Sequence, residues 1–242
     1  MRQLNVEAYG RTEVGPTRTA NQDAVVLAGA VAVASGSTVA YCGPVPEAGL
    51  LMAVVDGMGG YAGGERAAAI AATELARLTP SDVIDWGTTF QSISARINLA
   101  GAVWETPQMG ATAAVWTLRA SRVVVANIGD ARTYRRSGAY LGQLSVDDRT
   151  DVPGSTAITQ ALGGPPTTLD AHAWHQDLEP GAPQRYLLCS DGVYGALDNA
   201  RLRDVCAADQ PPARVVEAIL EACYAQQAGD NCSALVIDVT VG

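Results

Sequence analysis

The sequence predicts an α+β fold built on antiparallel sheets, in one domain spanning residues 1–242. Three observations carry this. Strand signals come in a block: Gly110 to Ser145 reads as four short strands separated by Ala-Ser, Gly-Asp and Ser-Gly, the grammar of an antiparallel meander. Helical signals come in blocks of their own instead of alternating with strands, which argues against a doubly wound sheet. An apolar content of 48% over 242 residues supplies a sizeable core, and no repeat, low-complexity tract or linker divides it.

Taken in order, Gln3 to Tyr9 alternates apolar and polar residues and reads as a first strand. A polar, turn-rich connection with two arginines follows, then the strand-like run Ala24 to Val33, broken by Ser-Gly-Ser. Thr38 to Gly49 reads as an irregular excursion or hairpin. The apolar run Leu50 to Val55 stops at Asp56, five glycines follow within eight residues, and an alanine-rich helix is predicted over Glu65 to Leu78. Ser81 can cap a second helical stretch, Asp82 to Val103, with a break near Gly87. After the meander, 147–156 reads as a mobile loop and 158–164 as one helical turn. Strands over Leu169 to His175 and Arg185 to Ser190 precede helices over Arg201 to Ala208 and Pro212 to Gln226. Ser233 to Val239 closes the chain as a strand.

Composition excludes several functions. Acidic residues exceed basic ones by nine, so the chain lacks the clustered positive charge of a nucleic-acid or anionic-membrane surface. All sixteen basic residues are arginine, which reads as coding bias. The five cysteines are odd in number and form no CxxC pair, a pattern of reduced thiols in a cytosolic protein. His172 and His175 are the only histidines, so a histidine-rich metal site is excluded. The longest apolar run, Ala24 to Ala34, is too short to span a bilayer, and the N-terminus lacks a signal-peptide layout. The expectation is a soluble, cytoplasmic protein.

The informative pattern is where carboxylates fall. Asp56-Gly57 and Asp191-Gly192 each terminate an apolar strand, while Asp23 and Asp230 each begin one. Antiparallel pairing brings such ends to one edge. Four aspartates gathered without lysine or histidine repel and raise one another's pKa unless cations fill the space. Oxygen-only ligands select hard ions, Mg²⁺ or Mn²⁺, and two such ions are the usual apparatus for activating water against a phosphate ester. Each piece alone has a plainer reading as a turn former; the set does not.

In RTANQDA, VVDGMGG, GATAAV, ANIGDARTYRRSGAYLGQLS, ITQALGG, YLLCSDGVYGAL and GDNCSALVI, in order along the whole chain, the sequence resembles the metal-dependent protein phosphatases of the protein phosphatase 2C family, in their compact bacterial form. That resemblance implies an αββα sandwich of two antiparallel sheets flanked by helices. It implies hydrolysis of phosphoserine and phosphothreonine in proteins by a metal-bridging hydroxide, with a Ser/Thr kinase and its substrates as partners, acting as a monomer. It implies a binuclear Mn²⁺/Mg²⁺ centre in which Asp56 bridges both ions, the Gly57 carbonyl joins one, and Asp191 and Asp230 hold the other. Asp23 would orient metal-bound waters or serve as a ligand, and Arg18 would bind the substrate phosphate. Asn231 would brace Asp230 through its amide, and Gln22, where relatives often carry glutamate, would hydrogen-bond a water. Asp130, in the hairpin after Ile128, matches a weaker third site.

Departures sit at the periphery. Met58 stands where some members place a histidine. The flap near 147–164 is short, so a third ion at Asp130 and Asp191 would need one of Asp147, Asp148 or Asp151, or water alone. Two alternatives stand beside the phosphatase reading. A degenerate fold serving as a binding or regulatory module is disfavoured by the intact set of Asp23, Asp56, Asp191 and Asp230. A hydrolase of small phosphoesters or nucleotides would need a basic pocket that the sequence does not show.

Overall fold

The computed structural model describes residues 3–59, 61–80, 84–152, 155, 157–165, 168–178 and 183–241. Four layers stack as helices, sheet, sheet, helices. The seven-stranded sheet contains β2 (Asp23–Leu27), β3 (Ala30–Ala32), β5 (Leu50–Met58), β6 (Gly110–Arg119), β7 (Arg122–Ile128), β10 (Leu162–Gly163) and β11 (His172–Asp177). The six-stranded sheet contains β1 (Leu4–Glu13), β4 (Thr38–Pro44), β8 (Arg132–Ser137), β9 (Tyr140–Gln143), β12 (Gln184–Cys189) and β13 (Cys232–Val241), in the order β4-β1-β13-β12-β8-β9. All strand pairing is antiparallel.

The period of two along β5 shows how one strand serves two cores. Leu51, Ala53 and Val55 face α1 (Tyr61–Ala76) and α2 (Trp86–Val103), while Leu50, Met52 and Val54 enter the core between the sheets. On α1, Ala67, Ala68, Ala71, Ala72 and Leu75 form one apolar stripe whose small side chains let the helix lie close to the sheet. The second helical layer, α3 (Asp191–Ala196), α4 (Asn199–Ala207) and α5 (Pro212–Ala225), covers β12 and β13 through Val193, Leu202, Val215 and Ile219.

The structure corrects several local expectations. Residues 110–145 are not one meander: β6 and β7 belong to one sheet, β8 and β9 to the other, and Gly129–Ala131 carries the chain across. The run from Ala24 is a hairpin, because Ala28 and Gly29 take positive φ and turn it back. Thr38–Pro44 pairs with β1 as an edge strand. Helix α2 starts at Trp86 with Asp85 as its cap, so Gly87 lies in the first turn and breaks nothing; the expected cap Ser81 lies outside the described residues. Leu162–Gly163 is a short strand against Gly110 and Ala111, not a helical turn.

Candidate metal centre

Strand register delivers the carboxylates. Asp23 of β2 pairs directly with Asp56 of β5, and Thr112 of β6 pairs with Asp56 from the other side. In the facing sheet, β12 leads into Asp191 and Asp230 lies two residues before β13. The two Asp-Gly steps need glycine for the same reason, and it is not a tight turn. A Cβ on Gly57 would lie 2.1 Å from the Gly64 carbonyl oxygen, and one on Gly192 would lie 2.0 Å from that of Asn231. Each glycine therefore lets a neighbouring segment approach closely enough to hold its aspartate at the cavity.

That cavity has a volume of about 560 Å³, and Asp56, Asp191, Asp230, Arg18, Gln22 and Thr112 are among the residues that line it. Asp56 and Asp191 both line this cavity, and the two carboxyls lie close enough to act on one another. Desolvation, then repulsion from Asp23, Asp191, Asp130 and Asp230, pushes the Asp56 carboxyl well above the usual range. Desolvation, then Asp130 and Asp230, pushes Asp191 up to about 6. The Thr112 hydroxyl, buried opposite Asp56, has no hydrogen-bond partner.

The remaining expected residues are each engaged. Asp23 is buried behind the cluster, where its Oδ2 accepts from the hydroxyls of Ser190 and Ser233, both at 2.7 Å. Burial pushes its carboxyl up to about 7, against the lowering effect of those two hydroxyls. Arg18 donates from its terminal nitrogen to Asp230 at 2.6 Å and from Nε to the Gly229 carbonyl at 3.2 Å. Asn231 does not brace Asp230 with its amide. Its Nδ2 donates to the carbonyls of Val14 and Ala20 and its Oδ1 accepts from the Gln22 backbone N–H, so it fixes the loop that carries Arg18 and Gln22. Asp230 instead accepts from the Asn231 backbone N–H at 2.9 Å. The Gln22 carbonyl in turn accepts from Gly57 N–H at 3.1 Å, which ties this loop to β5.

Asp130 lies in the sheet-crossing turn and not in a hairpin. It is 2% exposed, and its Oδ2 meets the Arg149 guanidinium at 2.6 Å and the Tyr194 hydroxyl at 3.1 Å. Asp147 pairs with Arg132, and Asp148 accepts from His172, Gln160 and the Gly129 N–H. Asp148 thereby holds its segment against the Gly129 turn, and Asp147 holds it against β8. The segment is pinned further by Arg149 bridging to Ile158 and by Thr150 N–H to the Ala157 carbonyl at 3.0 Å. Sequence reading missed Ser190, Ser233, Tyr194 and Arg149. The available signals were a hydroxyl beside each of two strand-end aspartate motifs, and one arginine amid the aspartates of DDRTD.

The family profile described as Protein phosphatase 2C matches residues 42–228. The chain belongs to this family. Protein phosphatase PhpP of Streptococcus pneumoniae is 26% identical, covering 94% of this chain and 95% of its own. Serine/threonine protein phosphatase PstP of Mycobacterium tuberculosis is 27% identical over 78% of this chain and 40% of its own length. Among solved structures, PppA, described as a key regulatory component of T6SS in Pseudomonas aeruginosa, superposes with a TM-score of 0.79 at 26% identity, over 98% of both chains. The catalytic domain of PstP, solved in complex with two manganese ions, also gives 0.79, at 23% identity and over 98% of this chain and 99% of its own. At that identity the likeness speaks for the fold.

The protein phosphatase 2C assignment implies divalent metal, and the residues fit it. The donor set is all oxygen, burial and neighbouring carboxylates push the Asp56 and Asp191 carboxyls up where a cation would relieve them, and the orphaned Thr112 hydroxyl lines the same cavity. Among the described residues, no three His, Cys, Asp or Glu side chains already converge on one ion position. Arg18 engages Asp230, Arg149 engages Asp130 and two serines engage Asp23, which leaves the Asp56–Asp191 pair to be opened by metal.

Proposed function

We propose that this chain hydrolyses phosphoserine and phosphothreonine in proteins, using two Mn²⁺ or Mg²⁺ ions held by Asp56, the Gly57 carbonyl, Asp191 and Asp230. The observation that carries the reading is the convergence of Asp56, Asp191 and Asp230 on one cavity also lined by Arg18. When bound, the metals lower the pKa of water and neutralise charge on the phosphoryl oxygens. The chain does the rest. Arg18 stands at the rim, half-exposed, where its planar fork can exchange Asp230 for a phosphate dianion. Asp23 holds the rear of the cluster through Ser190 and Ser233, and Asn231 keeps the Arg18–Gln22 loop in place.

The partners under this reading are phosphoproteins and the Ser/Thr kinase that supplies them, with the chain acting as a monomer. A cytoplasmic setting is supported by the cysteines: Cys42 is exposed and unpaired, and Cys189, Cys206, Cys223 and Cys232 are buried and unpaired. Among the described residues no helix is long and apolar enough to cross a membrane. The deciding assay is phosphate release from a phosphothreonine peptide by metal-stripped protein. EDTA-treated enzyme should be inactive and Mn²⁺ should restore turnover, with nucleotides failing to compete. Turnover in a verified metal-free sample would overturn the mechanism, and metal binding without turnover would favour a binding module.

A further inference from the structure

We propose that Arg149 is a resident cation at Asp130: its guanidinium holds the place of a third divalent ion, so that the centre is built for two metals and one arginine.

Asp130 adds a carboxylate beside the cluster, close enough to act electrostatically on both Asp56 and Asp191. A carboxylate that is 2% exposed needs a positive partner, and the chain supplies one. Arg149 Nε donates to Asp130 Oδ2 at 2.8 Å and a terminal nitrogen lies 2.6 Å from the same oxygen. That terminal nitrogen also reaches the Tyr194 hydroxyl at 2.9 Å, and the hydroxyl donates to the Asp130 carbonyl at 2.9 Å. Tyr194 is held in turn: the Arg132 guanidinium lies 3.6 Å from its ring centroid and is anchored by Asp147.

The backbone on both sides of the ion pair is fixed before the side chains meet. The neighbouring Asp148 accepts from Gly129 N–H through its carboxylate at 2.8 Å and donates its own N–H to the Gly129 carbonyl at 3.0 Å. Residue 149 is thereby set beside residue 130 by contacts independent of the pair, and little conformational entropy is lost in forming it. Both guanidinium contacts fall on Oδ2, while Oδ1 is buried with no hydrogen-bond partner, so the arginine supplies the carboxylate's positive charge without saturating it. Removing the arginine would leave a buried carboxylate beside Asp191 with its charge uncompensated, one oxygen unpartnered and the other held only by the neutral Tyr194 hydroxyl, a site with strong demand for a cation. Of the flap aspartates, Asp147 and Asp148 are already engaged, and Asp151 is exposed.

The inference rests on the metal-dependent reading above, and one titration separates the two. Apo protein is titrated with Mn²⁺ to tens of millimolar, counting bound ions by calorimetry and by the electron paramagnetic resonance signal of free Mn²⁺. Wild type and Asp130→Asn should each bind two ions. Arg149→Met should bind three, and Arg149→Met combined with Asp130→Asn should return to two. In thermal unfolding, Mn²⁺ should raise the Tm of Arg149→Met by more than that of wild type, whereas Arg149→Lys should behave as wild type. A wild type that binds three ions and loses one in Asp130→Asn would overturn the proposal without any need for the Arg149 variants to fold. A folded Arg149→Met that still binds two would overturn it as well. Failure of wild type to bind any ion would instead sink the metal-dependent reading itself.

Discussion

Asp56 and Asp130 are both carboxylates at strand ends of the same sheet, yet the chain treats them in opposite ways. Asp130 receives an arginine, a tyrosine hydroxyl and a braced backbone. Asp56 is crowded by a second carboxylate, Asp191, and among the described residues it forms no salt bridge. Asp230 sits between the extremes, paired with Arg18 at a half-exposed rim from which the arginine can leave. The difference separates structure from function. A carboxylate that folding must satisfy is satisfied internally, whereas one that must accept an external ion is left under electrostatic stress. Unfavourable placement of Asp56 is thus the part of the molecule that folding alone does not explain.

The strongest way to break this comparison is to neutralise the stressed member. Asp56→Asn should lower kcat/KM for a phosphothreonine peptide by several orders of magnitude, because the carboxylate proposed to hold the metals would be gone. The same substitution should raise the stability of the metal-free protein, since a neutral amide replaces a carboxyl whose ionisation burial, Asp23 and Asp191 oppose. Urea unfolding in EDTA tests the second half. An Asp56→Asn enzyme with near-wild-type turnover at confirmed metal occupancy would show that the two aspartates do not differ in kind.

Much of this contrast was legible in the sequence, and the part that was not has a physical cause. Asp23, Asp56, Asp191 and Asp230 could be found because a carboxylate abutting an apolar strand is a local pattern, and antiparallel pairing forces such ends together. The partner of each could not be found, because partners are set by tertiary register. Ser190 and Ser233 meet Asp23 from the opposite sheet, and Arg149 reaches Asp130 across 19 residues of chain. Turn chemistry misled at Gly129-Asp130, where a hairpin signal proved to be a crossing between sheets. Asn231 was placed in the right neighbourhood with the wrong partner, since its amide serves a loop more than 200 residues away in the chain.

A smaller effect sharpens the comparison at the rim. Arg18→Ala should raise KM for a phosphopeptide about tenfold, equivalent to roughly 1.4 kcal/mol, with a lesser change in kcat. An arginine that holds the ester in ground and transition state alike acts mainly on binding. Calorimetry should also show that Mn²⁺ binds no more weakly to Arg18→Ala, because the substitution frees Asp230 from a competing guanidinium. Unchanged KM and kcat together would make the Arg18–Asp230 pair a surface ion pair and nothing more.

The smallest effect concerns Asp23, which is buried like Asp130 but supported only by neutral hydroxyls. Its carboxyl is pushed up to about 7, first by burial, and Asp191 to about 6, against an ordinary value near 3.9 in the unfolded chain. The native state therefore holds these protons more tightly than the unfolded state does. Their contribution to stability is fully present below about pH 4 and is lost as pH rises through 6 and 7. Metal-free protein should become less stable between pH 5 and 8, and Asp23→Asn should flatten that slope. Ser190→Ala removes one of the two donors that favour the ionised form, so it should steepen the loss at the alkaline end by about 1 kcal/mol. Saturating Mn²⁺ should raise stability most where the loss is largest, because the ions take the place of the protons. Urea midpoints measured in EDTA at each pH unit decide the matter. Equal slopes for wild type and Asp23→Asn would mean that Asp23 keeps an ordinary carboxyl, and that two serine hydroxyls suffice where Asp130 required an arginine.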